Sequence, residues 1–269
     1  MSDPRSALIL AAGASRRLLP LTRDCPKCLL AVGGQTILAR QLDLLASFGI
    51  DDVVIVTGHG AAAVHAACGR QARLVHNPRY ASTNSLYSLV LAEPAVSGRS
   101  LLLLNSDVVV DPSLVERLLE APAANALLVD LDARLDEEAM KVVVRDGLVA
   151  AIDKAIDAVT ADGENVGVVK FDQDGAAALF RCGRAILAQG RLDAWAPAAY
   201  AAMLAERTIG AIPTDGLPWI EIDFPADLAR AEREVVGRLG GTPRPTVSGE
   251  RQYAGRPGAA VARRRARSR

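Results

Sequence analysis

Apolar and polar positions along the chain fall into two alternating rhythms. Short, nearly unbroken apolar runs at 7–12, 53–57 and 100–105 read as buried strands, with a further strand at 73–76. The segments between them place apolar residues three and four apart, as amphipathic helices do, over 37–48 and 61–67 and from Asn84 onward, where Ser82, Thr83 or Asn84 serves as the cap. Strands alternating with helices predict βαβ units and a parallel sheet, whose ligands lie at the carboxyl ends of the strands.

After Asp111-Pro112 and its helix the rhythm shortens. Strands are predicted over 125–130, 140–145, 149–153 and 166–171, with Asp146-Gly147 as a hairpin turn. Helices over 176–189 and 198–206 are mostly Ala, Leu and Arg and suit packing. A strand at 208–213, a turn at Asp215-Gly216 and a helix over 225–238 complete the pattern. The predicted fold class is α/β: a Rossmann-like mixed, mainly parallel sheet flanked by helices, with a smaller β insertion in the second half.

Composition narrows the class further. At 269 residues, half of them hydrophobic, the chain can bury one large core. No apolar run reaches the roughly 18 residues of a membrane span. Met1-Ser2-Asp3-Pro4-Arg5 lacks the basic-then-apolar layout of a signal peptide, so a soluble, cytoplasmic protein without a transmembrane segment is expected. From 240 to 269 the sequence turns to Pro, Gly and Arg, with eight arginines against the single Glu250. A basic, disordered tail with no specific nucleic-acid partner is expected there. The formal net charge of zero therefore conceals an acidic body.

Four cysteines (Cys25, Cys28, Cys68, Cys182) make no disulfide framework in a chain this long. Cys25-Pro26-Lys27-Cys28 is formally a CxxC motif, but His59, His65 and His76 supply no obvious further pair of metal ligands. Lysine is scarce beside arginine: Lys27, Lys141, Lys154 and Lys170 stand alone. A point charge on a flexible stem suits Lys27 and Lys154, Lys141 stays open, and Lys170 beside an apolar strand reads as structural.

The chemistry concentrates in residues 8–30. Leu8 to Leu10 lead into Ala11, Ala12, Gly13, Ala14 and Ser15, small enough for backbone N–H groups to wrap a phosphate chain, and Arg17 and Lys27 add charge. Neither the Walker A ending nor the three-glycine dinucleotide fingerprint is present. Asn105-Ser106-Asp107 ends a buried strand beside this loop, so Asp107 reads as a magnesium ligand, Asp111 being available to cap the next helix. In Trp219-Ile220-Glu221-Ile222-Asp223, alternation puts Glu221 and Asp223 on one face, away from Ile220 and Ile222.

Ala11-Ala12-Gly13, Arg17-Leu18, Pro20-Leu21-Thr22, Pro26-Lys27 and Leu29 resemble the signature of nucleotidyltransferases that activate phosphorylated sugars and alcohols. Ser15 stands where many members carry a second glycine. The stretch Asn77-Pro78-Arg79-Tyr80 through Asn84-Ser85-Leu86-Tyr87-Ser88-Leu89 is similar to that of bacterial cytidylyltransferases acting on phosphocholine, and of relatives that activate inositol phosphate or phosphonates. The resemblance covers 7 to about 236 and implies a nucleotidyltransferase domain over 1–239.

The resemblance also implies roles. Leu10 to Ser15, Asn84, Ser85 and Ser106 would bind the nucleoside triphosphate, CTP above all. Arg17 would hold its β- and γ-phosphates and Lys27 the α-phosphate, while Asp107 and Asp223 share Mg²⁺, with Glu221 orienting Asp223 or capping the next helix. Asp153-Lys154, followed by Glu164, would contact the acceptor; Lys141, Trp195, Tyr200, Trp219 and Glu221 are further acceptor candidates. That acceptor is a small phosphate or phosphonate: choline phosphate, a phosphonate, a polyol phosphate or an inositol phosphate. A sugar-1-phosphate nucleotidyltransferase using UTP, GTP or dTTP, a non-catalytic nucleotide-sensing module of the same fold, and a CxxC redox protein stay open, as does the oligomeric state.

Overall fold

The structure, a computed structural model, describes residues 6–239. The arginine-rich stretch expected to be a disordered tail lies outside them.

In chain order the elements are β1 (Ser6–Ala11), β2 (Ala31–Val32), β3 (Gln35–Thr36), α1 (Ile37–Ser47), β4 (Val53–Thr57), α2 (Ala61–Cys68), β5 (Arg73–His76), α3 (Ser85–Leu91) and α4 (Glu93–Val96). Then come β6 (Leu101–Asn105), β7 (Val108–Val110), α5 (Pro112–Glu120), β8 (Ala126–Asp130), β9 (Lys141–Arg145), β10 (Leu148–Asp153) and β11 (Gly163–Phe171). The chain continues through α6 (Gln173–Ala188), α7 (Pro197–Met203), β12 (Gly210–Pro213), β13 (Trp219–Glu221) and α8 (Pro225–Arg230). Caps sit where the sequence offers them: Thr36, Asn84, Asp111 and Asp172 each accept a backbone N–H at the start of α1, α3, α5 and α6.

A nine-stranded sheet runs β5-β4-β1-β6-β11-β8-β12-β10-β9. The first four strands are parallel, β11 lies antiparallel between β6 and β8, and β12 is parallel to β8. The strands read as a smaller insertion are thus hydrogen-bonded into the central sheet, the β9–β10 hairpin pairing with β12 through β10 and back with the start of β11 through β9. That hairpin turns on Asp146 and Gly147, both at positive φ as a tight two-residue turn demands.

Alternation along the strands fills two layers. Leu8, Leu10, Val54 and Leu103 face α3, α6 and α7, while Ala7, Ile9, Ile55 and Leu104 face α1, α2 and α5. All eight are buried, and shortening one of the leucines to Ala should cost about 2–5 kcal/mol.

A third cluster, with Leu18 at one end, lies near the loop that follows β1. Leu18, Val32, Ile37, Val109, Ile220, Ile222 and Val235 pack together and clamp a two-stranded sheet, β7 antiparallel to β13, against the first half of the chain. The expected helix over 225–238 keeps its α geometry only through α8. A π-helical turn over Ala231–Val235 and a 3₁₀ turn over Val236–Arg238 follow.

Candidate active site

Three apolar strands deliver the site. β1 ends at Ala11 and β6 at Asn105, neighbours in parallel register, so the loop after Ala11 and the Ser106-Asp107 turn emerge side by side. β13 then brings in the end of the chain. Glu221 pairs opposite Val108, and Ile222 donates its N–H to the Asp107 carbonyl at 3.0 Å. With Ile220 and Ile222 turned into the third cluster, Glu221 and Asp223 share the face toward Asp107.

The outcome is a carboxylate triad. Asp107, Glu221 and Asp223 each offer an oxygen within 4.8 Å of the others'. Lys27 Nζ donates to Asp107 Oδ2 at 2.8 Å and to Asp223 Oδ1 at 2.5 Å. Burial alone would lower the Lys27 pKa, but Asp107 and Asp223 outweigh it and hold the ammonium well above the usual lysine range. Burial, then the charges of Asp107 and Asp223, pushes the Glu221 carboxyl well above its ordinary range. Asp107 Oδ1 is buried and accepts no hydrogen bond. A buried lone pair without a donor, inside a cluster of hard oxygens, fits a divalent cation such as Mg²⁺.

The triad lines a cavity of about 260 Å³, together with Leu10, Ala11, Ala12, Gly13, Ser15 and Arg17. A Cβ at Gly13 would meet nothing within 4 Å, so the backbone there faces open space. Ser15 adopts φ +46°, the left-handed region that favours glycine, which accounts for the second glycine so often found at this position of the signature. Thr22 holds the turn, its hydroxyl donating to the Ser15 carbonyl at 2.9 Å. Ala14 belongs to the loop but does not line the cavity.

Asn84, Ser85 and Ser106 line the same space. Asn84 Oδ1 accepts the Ser85 N–H at 2.8 Å, and Ser85 Oγ accepts the Ala196 N–H at 2.8 Å, which docks the turn before α7 onto α3. Asn77, buried, donates to Ser88 Oγ at 3.1 Å and fixes the loop leading into α3.

Arg17 spans two acids, donating to Asp223 at 2.7 Å and to Glu138 at 2.7 Å. Its guanidinium also lies over the Phe224 ring, 5.1 Å from the centroid. Lys154 Nζ meets the same Glu138 oxygen at 3.0 Å and stands 4.7 Å from the centroid of Trp195. Hydrogen bonds from Lys154 and Arg17 hold the Glu138 carboxyl below the usual glutamate range. Glu138 is absent from the sequence-derived candidates: it lies in the irregular segment between β8 and β9, where periodicity gives no signal.

The remaining candidates separate. Lys141 is buried and donates to the Lys154 carbonyl at 2.9 Å, so it props up the lysine that reaches the cavity. Tyr200 is buried in the core with its ring 5.7 Å from that of Phe171. Trp219 donates its indole N–H to Asp130 at 2.8 Å. Neither of these two aromatics lines the main cavity. Glu164 faces an adjoining cavity of about 490 Å³, which shares Glu138, Glu221 and Asp223 with the first. Burial, with Asp136 and Asp130, pushes its carboxyl up to about 7. Lys170 donates to the Leu119 and Ala121 carbonyls, the structural role expected of it. Cys28 is buried, and burial pushes its thiol up to about 12, which does not suit a redox pair that needs a ready thiolate.

Comparison with known proteins places this geometry. The chain is 39% identical over 129 residues, 46% of its length, to the CMP-5'-(3-aminopropyl)phosphonate synthase of Streptomyces rubellomurinus, of which it covers 20%. It is 27% identical over 237 residues, 86% of its length, to the bifunctional IPC transferase and DIPP synthase of Aquifex aeolicus, of which it covers 52%. The chain thus spans about half or less of the length of these relatives. Its fold superposes on the inositol-1-phosphate CTP transferase from T. maritima with a TM-score of 0.72 at 23% identity, covering 87% of this chain and 99% of that one. Residues 7–207 match the MobA-like NTP transferase domain, and the chain belongs to that family.

Proposed function

We propose that the chain transfers CMP from CTP to a small phosphorylated alcohol or phosphonate and releases pyrophosphate. The observation that carries this reading is the Lys27 ammonium held between Asp107 and Asp223, beside an unpartnered buried Asp107 oxygen and below a small-residue loop. That arrangement offers backbone donors for phosphates, a fixed point charge and hard oxygen ligands in one cavity. The CMP in the name of the Streptomyces relative supports CTP, and the complete acidic set favours an enzyme over a nucleotide-sensing module.

In the reaction an acceptor oxygen forms a bond to the α-phosphorus while the bond from that phosphorus to the bridging oxygen breaks. Pyrophosphate leaves with the electron pair. A phosphate monoester has its second pKa near 6 and is already largely a dianion at neutral pH, so no general base is required. Catalysis then consists of alignment and charge stabilisation. Arg17 binds the β- and γ-phosphates, exchanging its carboxylate partners for them, and Lys27 stabilises charge at the α-phosphate. Asp107, Glu221 and Asp223 would hold Mg²⁺, which when bound supplies the positive charge that offsets the triphosphate and its leaving group. Lys154 reaches the acceptor phosphate.

The test is pyrophosphate release with each of the four NTPs crossed against phosphocholine, aminoethyl- and hydroxyethylphosphonate, inositol phosphates and sugar-1-phosphates. Turnover confined to CTP and a non-sugar acceptor is expected. Turnover confined to a sugar-1-phosphate with UTP, GTP or dTTP would overturn the choice of substrates, and no turnover with any pair would overturn the transferase reading.

A further inference from the structure

Lys154 occupies a cation site of its own making. Its ammonium sits 3.0 Å from Glu138 Oε2 and 4.7 Å from the Trp195 ring centroid, the two contacts by which proteins take a positive charge out of water. The three residues come from separate places: the end of the β9–β10 hairpin, the segment between β8 and β9, and the turn before α7. Trp195 keeps 45% of its surface exposed at the cavity, although an indole would ordinarily be covered.

Charge pattern then restricts the ligand. Glu138 engages both Lys154 and Arg17, two cations assigned here to phosphates. An acceptor with a neutral tail offers Glu138 no replacement cation: once Lys154 and Arg17 both turn to phosphates, this half-exposed carboxylate keeps only water as its partner. A zwitterionic acceptor exchanges the partners cleanly: its ammonium takes Glu138 and the Trp195 face, its phosphate or phosphonate takes Lys154, and Arg17 turns to the β- and γ-phosphates of the nucleotide. The span also suits a small molecule, because a single guanidinium, that of Arg17, bridges Glu138 to Asp223 of the carboxylate triad.

Resting on the cytidylyltransferase reading, we infer that the acceptor carries an ammonium group, which replaces Lys154 against Glu138 and Trp195 and releases Lys154 toward the acceptor's anionic end.

The experiment measures kcat/KM with CTP for matched acceptors: 2-aminoethylphosphonate against 2-hydroxyethylphosphonate, and phosphocholine to separate a primary from a quaternary ammonium. The amine should exceed its hydroxyl isostere by about tenfold or more. Glu138→Gln and Trp195→Leu should each bring that ratio toward unity, and Trp195→Phe, with a weaker ring face, should fall between. The ratio is the readout because Glu138 also touches Arg17, so absolute rates respond to more than the acceptor. Equal turnover of both isosteres, or a preference that survives Glu138→Gln and Trp195→Leu, would overturn the inference while leaving the transferase reading intact. Turnover of inositol phosphate or a sugar phosphate alone would do the same. No turnover with any NTP and acceptor would overturn both.

Discussion

Lys27 Nζ lies 2.5 Å from Asp223 Oδ1, although 196 residues separate the two. The contact closes the site, joining the 3₁₀ turn that begins at Lys27 to a residue just beyond β13. The same ammonium serves Asp107 at 2.8 Å. One positive charge thus holds two carboxylates together, with Glu221 close by.

Removing that charge should expose the imbalance. Lys27→Met leaves Asp107 and Asp223 facing each other in a partly buried site, and a loss of about 3 kcal/mol or more is expected in urea melts. Mg²⁺ should then raise the stability of the variant more than that of the native chain, since it takes over the neutralisation that Lys27 provides. Lys27→Arg should not restore full turnover, because a planar fork cannot replace a point charge. A variant as stable as the native chain and indifferent to Mg²⁺ would contradict this account.

The metal itself is tested through the unpartnered oxygen. Asp107→Asn and Asp223→Asn should each lower pyrophosphate release by about 10³-fold or more and abolish the Mg²⁺-dependent rise in melting temperature. EDTA should stop the native enzyme. Asp107→Asn activity within tenfold of native would remove Asp107 from the ligand set.

How far the sequence anticipated this site follows from what carries each residue. β1, β4 and β6 were legible because buried parallel strands read as apolar runs bounded by turns, and Asp107 came with them as the residue just beyond such a run. Asp223 was legible from two-residue alternation across Ile220 and Ile222. The β7–β13 pairing that brings the two aspartates together was not, because each strand has only three residues and the two lie far apart in the sequence. Glu138 escaped for another reason: it sits on irregular backbone, and its partners Arg17 and Lys154 are adjacent to it only in space. The acceptor candidates named for residue type alone fared worst. Tyr200 is core, Trp219 is tied to Asp130, and Lys141 supports Lys154 from behind.

That last distinction separates two lysines by what fails when each is lost. Lys154→Ala should raise the acceptor KM severalfold or more with little change in melting temperature, because its ammonium lies at the cavity beside an exposed partner. Lys141→Met should instead lower stability by about 1–3 kcal/mol, since it removes the donor to the part-buried Lys154 carbonyl, and should act on the acceptor only indirectly. Thermal melts and acceptor kinetics on both variants check this. If Lys154→Ala left the acceptor KM and kcat unchanged, Lys154 would revert to a surface ion pair with Glu138.

Glu164 gives the chain a pH dependence that can be isolated. It pairs across β11 with Asp130 on one side and Lys141 on the other. Burial, followed by Asp136 and Asp130, carries its carboxyl from the ordinary 4.5 up to about 7, against the opposing pull of Lys141 and Lys154. Between those values the folded chain keeps a proton that the unfolded chain gives up. This group's contribution to stability is therefore complete below about pH 4.5, declines as the pH rises through 7 and is absent above it. Glu164→Gln cannot ionise, so it should match the native chain near pH 5 and exceed its stability near pH 8 by about 2–3 kcal/mol. Urea melts of both proteins at the two pH values decide it. A gain of equal size at both would mean that packing, not ionisation of Glu164, sets the difference.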